Sequence, residues 1–353
     1  MRTRHNIVYF TSTLTAILSI AIALMASSVF ANMAYKAHDL GLGRAYSVND
    51  AGQACGYVTE SNGRKTPCVW INGEVQRVVD TSYTDGTAIG INNSGKILIQ
   101  ATNNAVYWNH GDSTIIRPSA YNTLFTGTGI NDNSEVCGYQ FRYSYTWSNG
   151  SFEMLESIST GISFDCALAI NNVGQVCGHT YSGAWPTTHL GFLFSNGHSI
   201  NLSALTGKPI STANDLNDFG AVVGVFSSPT LYEHAFMLSN GELADIGTLG
   251  GLVSKAYGIN NNYQVVGWAQ TVSNRSCAFI WQDGIIEALD SIPGALTSGA
   301  VSISDTGWIA GYAVDADKNY HAILWEPVPE PSSILAMICG ISGLGGLVLQ
   351  RMK

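Results

Sequence analysis

Apolar and polar positions recur in a fixed order along most of the chain. A short apolar segment is followed by Asn, then by Asn or Asp, one variable residue and usually Gly, and then by a second apolar segment. The clearest copy is AYGINNNYQVVGW, residues 256–268. Short apolar runs bounded by such a turn are typical of strands, and Asn with Gly favours the turn itself. The block therefore predicts a β-hairpin.

The hairpin block occurs seven times, at spacings of 39 to 46 residues. Its first turn position is occupied by Asn49, Asn92, Asn131, Asn171, Asn217 and Asn260, with Ser304 in the seventh copy. A third strand follows each hairpin, around Trp70, Trp108, Trp147, Phe194, Leu238, Trp281 and Trp325, and a turn such as SNG or QDG leads into a fourth. Four strands in a repeat of this length are typical of a propeller blade. We predict an all-β, seven-bladed β-propeller over residues 32–327.

The seventh repeat ends after its third strand, where Pro327 and Pro329 disfavour a further strand. The motif HDLG at residues 38–41 is similar to part of ADIGTLGG at residues 244–251, which includes a fourth strand. We therefore expect an N-terminal strand to complete the last blade and close the propeller. Closure of this kind protects sheet edges.

The first 31 residues have the features of an export signal. Arg2 and Arg4 precede the apolar run ILSIAIALMASSVF, and Val29 and Ala31 suit cleavage after Ala31. An uncleaved membrane anchor is the alternative.

The last residues, 328–353, contain a Pro-Glu-Pro triplet, an apolar run over 334–349 and a basic end. The defining residues are Pro329, Glu330, Pro331, Arg351 and Lys353. This order resembles the PEP-CTERM sorting signal. The resemblance implies processing by an exosortase-type enzyme, transient membrane insertion and a location in the envelope, at the outer surface or in the extracellular matrix of a Gram-negative bacterium. A plain C-terminal membrane anchor is the alternative. In either case, we predict a helical hydrophobic segment at each terminus.

The repeats resemble a second family as well. AYGINNNYQVVGW, HAFML at residues 234–238 and DIGTLGG at residues 245–251 are similar to HAF repeats, named for a His-Ala-Phe triplet. This resemblance implies an exported repeat protein.

Composition excludes one class of partner. Charged residues make up 12% of the chain, and its net charge is -9. Both ends together hold four of the 16 basic residues, which leaves 12 in the predicted propeller. Binding to a nucleic acid backbone needs clustered Lys and Arg, so a nucleic acid partner is not expected.

Three cysteines, Cys55, Cys137 and Cys177, occupy a repeat position where other copies have Val or Ala. We expect them to pack as small buried side chains, with a disulfide as the alternative.

The sequence contains no metal-spaced His cluster, nucleophile motif or phosphate loop. The most unusual segment is HTYSGAWPTTHLG in the fourth repeat, where an aromatic ring could stack on a sugar beside a polar His. The candidate ligand-binding residues are His179, Tyr181, Trp185, His189 and Tyr232. Alternatively, the aromatic side chains cover the edge of the blade.

A weak calcium candidate is formed by Asp315, Asp317 and Asn319, whose alternate spacing begins a calcium loop. Tyr320 stands where that loop needs Gly, and no Glu closes it, which favours a solvated turn. We predict no cofactor.

Together these features predict an exported, non-catalytic binding or scaffolding protein of the exopolysaccharide or biofilm matrix. The alternatives are a carbohydrate-active hydrolase or lyase with its site at one mouth of the propeller, and a structural surface protein that contacts only proteins.

Overall fold

The computed structural model describes residues 33–78, 86–102, 104–117, 124–159, 163–182, 189–227 and 232–329. The signal segment and all of the sorting tail beyond Pro329 lie outside this range. Packing divides the chain into a body of residues 37–326 and a second unit of residues 1–36 with 327–353. The site described below belongs to the body.

The described chain is all-β apart from one short helix, which confirms the predicted class. Repeats one to three contain β1 (Met33–Val48), β2 (Ala54–Thr59), β3 (Lys65–Ile71), β4 (Glu74–Arg77), β5 (Gly86–Ile91), β6 (Ile97–Ala101), β7 (Ala105–Asn109), β8 (Asp112–Ile116), β9 (Thr126–Ile130), β10 (Val136–Gln140), β11 (Tyr143–Ser148) and β12 (Ser151–Met154). Repeats four and five contain β13 (Ser163–Ile170), β14 (Val176–Ser182), β15 (His189–Ser195), β16 (His198–Asn201), helix α1 (Leu202–Thr206), β17 (Ile210–Leu216), β18 (Val222–Ser227), β19 (Glu233–Ser239) and β20 (Glu242–Gly247). Repeats six and seven contain β21 (Gly250–Ile259), β22 (Val265–Thr271), β23 (Ser276–Gln282), β24 (Ile285–Ala288), β25 (Thr297–Ile303), β26 (Ile309–Val314) and β27 (Tyr320–Pro329).

Within the described ranges, the strands form five four-stranded sheets and one seven-stranded sheet. Each four-stranded sheet is one repeat, with its strands side by side in chain order. The seven-stranded sheet has the order β25-β26-β27-β1-β2-β3-β4, so β1 joins the last repeat to the first. This sheet is not closed, because β25 and β4 are its free edges.

The helical segments predicted at both termini fall outside the described residues. Where the structure does describe the chain, no helix has the length and apolar character needed to cross a membrane.

Six of the seven hairpin turns are built around a buried asparagine, and the seventh has Ser304 in its place. In the sixth repeat, Asn260 Oδ1 accepts the backbone N–H groups of Asn262 and Gln264, both at 3.0 Å. Its Nδ2 donates to the carbonyl of Ser304 in the next repeat at 2.9 Å. The asparagine thus forms the turn and fastens neighbouring sheets, which explains why it recurs in the sequence.

The glycine in the second strand of most repeats is required by close backbone approach. A Cβ added at Gly267 would lie 1.9 Å from the carbonyl oxygen of Lys255 on β21. The same conflict, at 1.9 to 2.1 Å, would arise at Gly56, Gly138, Gly178, Gly224 and Gly311. A side chain at these positions would push the first two strands of the sheet apart.

The repeat-position cysteines are packing residues, as predicted. Cys55, Cys137 and Cys177 are fully buried and free. Burial raises the pKa of the Cys137 thiol to about 12, so it stays neutral. Cys339 lies outside the described residues.

The HDLG motif lies beside the last repeat. On β1, the Asp39 carboxylate is 3.0 Å from His321 Nδ1, and its Oδ1 accepts the Gly41 N–H at 2.9 Å. The fifth repeat has the same pair of contacts: His234 Nδ1 is 3.0 Å from Asp245, whose Oδ1 accepts the Gly247 N–H at 2.8 Å. The first residues of β1 therefore make the contacts of a fourth strand.

Candidate functional site

A cavity of about 580 Å³ lies among the first strands of all seven repeats. It adjoins the asparagine turns and extends along these strands toward their starts. Recurring antiparallel sheets whose first strands surround one cavity are the architecture of a β-propeller. We refer to this space as the channel cavity.

A β-bulge in every first strand provides the lining of the channel cavity. In β1, for example, Ala45 pairs with Gly56 and Ser47 pairs with Cys55, so Tyr46 has no partner in the register. A bulge bends the strand and redirects the side chain of its extra residue. The seven bulge residues all line the cavity: Tyr46, Ile89, Thr128, Leu168, Asn214, Tyr257 and Val301.

Asp215 is the only carboxylate in the described lining of the channel cavity. Its Oδ2 accepts the N–H of Ile259 from the neighbouring sheet at 3.0 Å. Ser47 and Ser302 occupy the same repeat position, and their hydroxyls accept the N–H groups of Ile91 and Val48 at 3.3 and 3.4 Å. A serine thus suffices for the contact between sheets, and the aspartate adds a charge.

Asp215 is half-buried, and it lines the channel cavity. Burial raises the pKa of its carboxyl to about 7, against an ordinary value of 3.8, while the N–H groups of Ile259 and Leu216 oppose this rise. No described Lys, Arg or His lies within ion-pair distance of it. A half-buried carboxyl with a raised pKa and no cationic partner is common at functional sites.

Aromatic side chains form the adjoining wall. Asn214 Nδ2 donates to the Ala256 carbonyl at 2.7 Å, and Asp215 Oδ2 accepts the Ile259 N–H. Tyr257 lies between these two residues of β21. The Tyr257 hydroxyl is 3.4 Å from Trp268 Nε1, which holds the ring in place. Tyr46, also on the lining, has the Arg44 guanidinium 5.1 Å from its ring centroid. The cavity therefore combines one acid with two tyrosine rings.

The structure brings together three of the five ligand residues proposed from the sequence. The ring centroids of His179, Tyr181 and His189 are 5.6 to 6.3 Å apart, and Tyr181 stacks on Phe164 at 5.0 Å. Desolvation, and then the nearby His189, lower the pKa of His179, whose Nδ1 is buried without a hydrogen-bond partner. The cluster is a packed column of rings on the fourth repeat.

The other two candidates are not joined to that cluster. Trp185 lies outside the described residues. Tyr232 is 44% exposed and has no described ring contact with the three.

The proposed calcium residues form a tight turn between β26 and β27. Asp315 Oδ1 accepts the Asn319 N–H at 2.8 Å, and this hydrogen bond is the main cause of the lowered Asp315 pKa. Its Oδ2 is 3.3 Å from His321 Nε2. Across the ranges that the structure covers, no group of three or more His, Cys, Asp or Glu could hold a metal ion. Of the sorting-signal residues only Pro329, the last residue of β27, falls within these ranges; Glu330, Pro331, Arg351 and Lys353 do not.

Sequence reasoning missed Asp215 and the bulge residues. Asp215 stands two positions before the turn asparagine, where the other repeats have Ser47, Gly90, Gly129, Ala169, Gly258 and Ser302. Comparing repeats column by column would have revealed one acid among small residues. The bulge itself has no local sequence signal, so the direction of Tyr46 and Tyr257 could not be foreseen.

The chain matches no family model, and a search of curated proteins found no similar sequence. Among solved structures, it is similar to a puromycin-hydrolysing peptidase of Mycobacterium tuberculosis, at 10% identity and a TM-score of 0.54 over 82% of this chain and 53% of that one. A puromycin hydrolase S511A mutant complexed with PGG matches at 10% identity and a TM-score of 0.53, over 80% and 52% of the two chains. The β-propeller domain of the Trilobed protease from Pyrococcus furiosus matches at 12% identity and a TM-score of 0.48, over 71% and 82%. At this identity the likeness concerns the fold.

These comparisons correct the prediction of function. The solved structures that match with a TM-score of at least 0.5 include puromycin hydrolases, one of them named as a peptidase, and on this finding the predicted scaffolding protein of the exopolysaccharide matrix is wrong. The chain spans about half the length of the two hydrolases described above.

Proposed function

We propose that this chain is a peptide-recognition propeller that binds the free amino group of a peptide against Asp215 in the channel cavity. The carrying observation is the Asp215 carboxyl, which faces the cavity and has no cationic partner among the described residues. A protonated amine would provide the missing charge, and a charge-assisted hydrogen bond is among the stronger polar contacts.

The remaining lining suits a peptide amine. Tyrosine rings attract a cation placed over their faces, and Tyr46 and Tyr257 line the same cavity. Asn214 and Thr128 also line it and can bond to peptide groups. The likeness in fold to two hydrolases, one named as a peptidase, adds support for a peptide ligand.

The proposal includes the architecture and the location. We infer seven blades, with the first residues of β1 as the fourth strand of the seventh blade, from the strand order and the paired His–Asp contacts. The export signal, the resemblance to HAF repeats and the resemblance to a PEP-CTERM tail support secretion and processing by an exosortase-type enzyme. These remain inferences from the sequence.

The test is isothermal titration calorimetry of the full chain with Ala-Leu-Ala and with its N-acetylated form. We expect acetylation to weaken binding on the order of tenfold to a hundredfold, since hydrogen bonds to charged groups contribute about 1.5–3 kcal/mol. Asp215→Asn should cause a similar loss, and the exposed Asp317→Asn should cause none. Equal affinities for the free and acetylated peptides would refute the proposal.

Binding should also depend on pH in a defined way. Because burial raises the Asp215 pKa to about 7, the carboxylate forms as the pH rises through that value. The peptide amine loses its proton near pH 8. Titrations from pH 5 to pH 10 should therefore give the highest affinity between about 7 and 8, and a profile that keeps rising above pH 9 would contradict this.

A further inference from the structure

Three polar side chains are buried between the third and fourth repeats: Ser144 of β11, Asp165 of β13 and Thr180 of β14. We refer to them as the oxygen cluster. At most 6% of any of these residues is exposed. Ser144 Oγ, Asp165 Oδ1 and Thr180 Oγ1 have no hydrogen-bond partner among the described residues. Buried polar atoms in folded proteins are nearly always hydrogen-bonded, so three such atoms in one interface require an explanation.

Asp165 and Thr180 extend from the same face of the fourth repeat. They are directly opposite each other in the register of β13 and β14, and opposite side chains of an antiparallel pair share a face. Ala167, two residues after Asp165, lies on that face as well and packs in one apolar cluster with Cys137 of the third repeat. The face with Asp165 and Thr180 is therefore the one that contacts the third repeat.

Ser144 extends from the facing side of the third repeat. It is opposite Tyr139 in the register of β10 and β11, and Tyr139 lies two residues after Cys137 on β10. The backbones are close at this point, because the Asp165 N–H donates at 3.1 Å to the carbonyl of Arg142, two residues before Ser144. All three side chains of the oxygen cluster therefore point into one interface.

The seventh repeat shows how close the equivalent positions come. Ser298 stands where the fourth repeat has Asp165, and its hydroxyl accepts the N–H of Ala278 at 2.9 Å. Ala278 is the counterpart of Ser144, three residues before the third-strand marker, and the residue opposite Ser298 is Ala313. A second example is formed by Ala235, Ser254 and Ala269. One hydroxyl between two alanines is thus replaced in the fourth repeat by a carboxyl between two hydroxyls.

Asp165 brings a charge into the oxygen cluster. No described Lys, Arg or His is within ion-pair distance of its carboxylate. The Arg142 side chain has another partner, because its Nε donates to the Ser163 carbonyl at 3.1 Å. Buried charges in proteins are paired or coordinate a metal ion. A water molecule would bond to the three oxygens but would leave the carboxylate without a counterion.

We propose that the oxygen cluster binds a monovalent metal cation, such as Na⁺, between the third and fourth repeats. Hard cations prefer oxygen ligands, and one carboxylate with two hydroxyls matches a single positive charge. Ca²⁺ takes about six to eight oxygen ligands, for which this cluster is too small. With one carboxylate, the cluster also differs from the groups of three or more His, Cys, Asp or Glu that are absent from the described ranges.

The test is thermal unfolding of the full chain in sodium chloride and in choline chloride at equal ionic strength, with EDTA present. Choline is too large to enter a buried site. A ligand that binds only the folded state stabilises it, so we expect the melting temperature to be about 2–4 °C higher in sodium. Asp165→Ser, which copies the seventh repeat, should abolish this difference, and the exposed Asp317→Asn should retain it.

Two outcomes would overturn the proposal. Equal melting temperatures in sodium and choline would mean that a water molecule or a proton on Asp165 satisfies the oxygen cluster. A difference that persists in Asp165→Ser would mean that the cation binds elsewhere. Should Asp165→Ser fail to fold, Thr180→Val decides, because it keeps the carboxylate and removes one ligand: the stabilisation must then require a higher sodium concentration, and an unchanged dependence overturns the proposal.

Discussion

Asp215 makes a hydrogen bond that serine makes at two equivalent positions. Ser47 and Ser302 accept the corresponding backbone N–H groups without bringing a charge into the cavity. A carboxylate that is partly withdrawn from water destabilises the folded state unless it is protonated or paired. The chain thus accepts a cost in stability at this residue, as functional sites often do.

Asp215→Ser should stabilise the protein at pH 8 but not at pH 4. The folded-state pKa of about 7 lies above the ordinary 3.8, so the folded state binds a proton that the unfolded state has released. Free energy of unfolding is therefore lost as the pH rises from about 4 to about 7, by an upper limit of roughly 4 kcal/mol.

Urea unfolding of both proteins at pH 4 and pH 8 measures this effect. Asp317→Ser, in an exposed turn, is the control and should show no comparable gain at pH 8. A constant difference between Asp215→Ser and the unchanged chain at both pH values would show that the Asp215 carboxyl carries no such cost.

Some residues could be understood from the sequence, and others could not. The turn asparagines and the buried cysteines recur at the same repeat position, so their structural role could be predicted from the sequence. His179, Tyr181 and His189 lie within one short segment, so their proximity could also be predicted from the sequence. Asp215 was missed because the cavity that it lines is formed with the first strands of the other six repeats, which no local pattern encodes.

Among the elements, the start of β1 makes the same side-chain contacts as β20. His321 and Asp39 form the same pair as His234 and Asp245, and both pairs have side-chain exposures of 19% and 41%. The two segments differ in chain connectivity. Strand β20 continues into β21, whereas residues 38–41 are joined to the body only on their C-terminal side.

His321→Ala should therefore free the start of β1 more than His234→Ala frees β20. His321 also lies 3.3 Å from Asp315 Oδ2, so His321→Ala removes two partly exposed pairs, each worth about 0.2–1 kcal/mol, whereas His234→Ala removes one. Hydrogen exchange measured by mass spectrometry should show faster exchange over residues 38–41 in His321→Ala. Equal acceleration over residues 245–247 in His234→Ala would argue against a special dependence of β1.

Sequence patterns predicted most strands but not α1. All seven aromatic or large apolar markers of the third strand lie within the observed third strands. Helix α1 spans five residues, Leu202–Thr206, which is too short for a helical period to be visible. It begins because Asn201 Oδ1 accepts the N–H groups of Ser203 and Ala204, a local cap that apolar patterning does not detect.

At the scale of the whole body, the seven turns are joined in a cycle of hydrogen bonds. The backbone N–H at the second turn position of each repeat donates to Oδ1 of the same position in the next, at 2.7 to 2.9 Å. These positions alternate between acid and amide: Asp50, Asn93, Asp132, Asn172, Asp218, Asn261 and Asp305. Since seven is odd, strict alternation must fail once, and Asp305 meets Asp50.

Asp305→Asn removes a carboxylate beside Asp50, but it also removes the bond that Asp305 Oδ2 accepts from Asn261 Nδ2 at 2.8 Å. Because the new amide can donate to Asp50 in its place, the net gain in stability at neutral pH should be about 1 kcal/mol or less. Burial, more than the nearby Asp50 and Asp218, raises the Asp305 pKa above 3.8. The raised folded-state pKa means that stability falls as the pH rises through it, so the gain should vanish below pH 4.

Asp132→Asn is the matched comparison for thermal unfolding. Asp132 Oδ2 accepts bonds from Asn93 and Asn172, both at 3.1 Å, so its replacement should lower the melting temperature. A change of the same sign in both variants would contradict the importance of alternation.

The position of β1 also affects how the protein is made. Asp39 and His321 are 282 residues apart, so the last sheet cannot be completed while the chain is still short. At 5–20 residues per second, a ribosome needs roughly 15 to 60 s to synthesise the intervening segment. During that time the earliest strand waits with an unpaired edge, which is the state in which a nascent chain is most exposed to association with its neighbours.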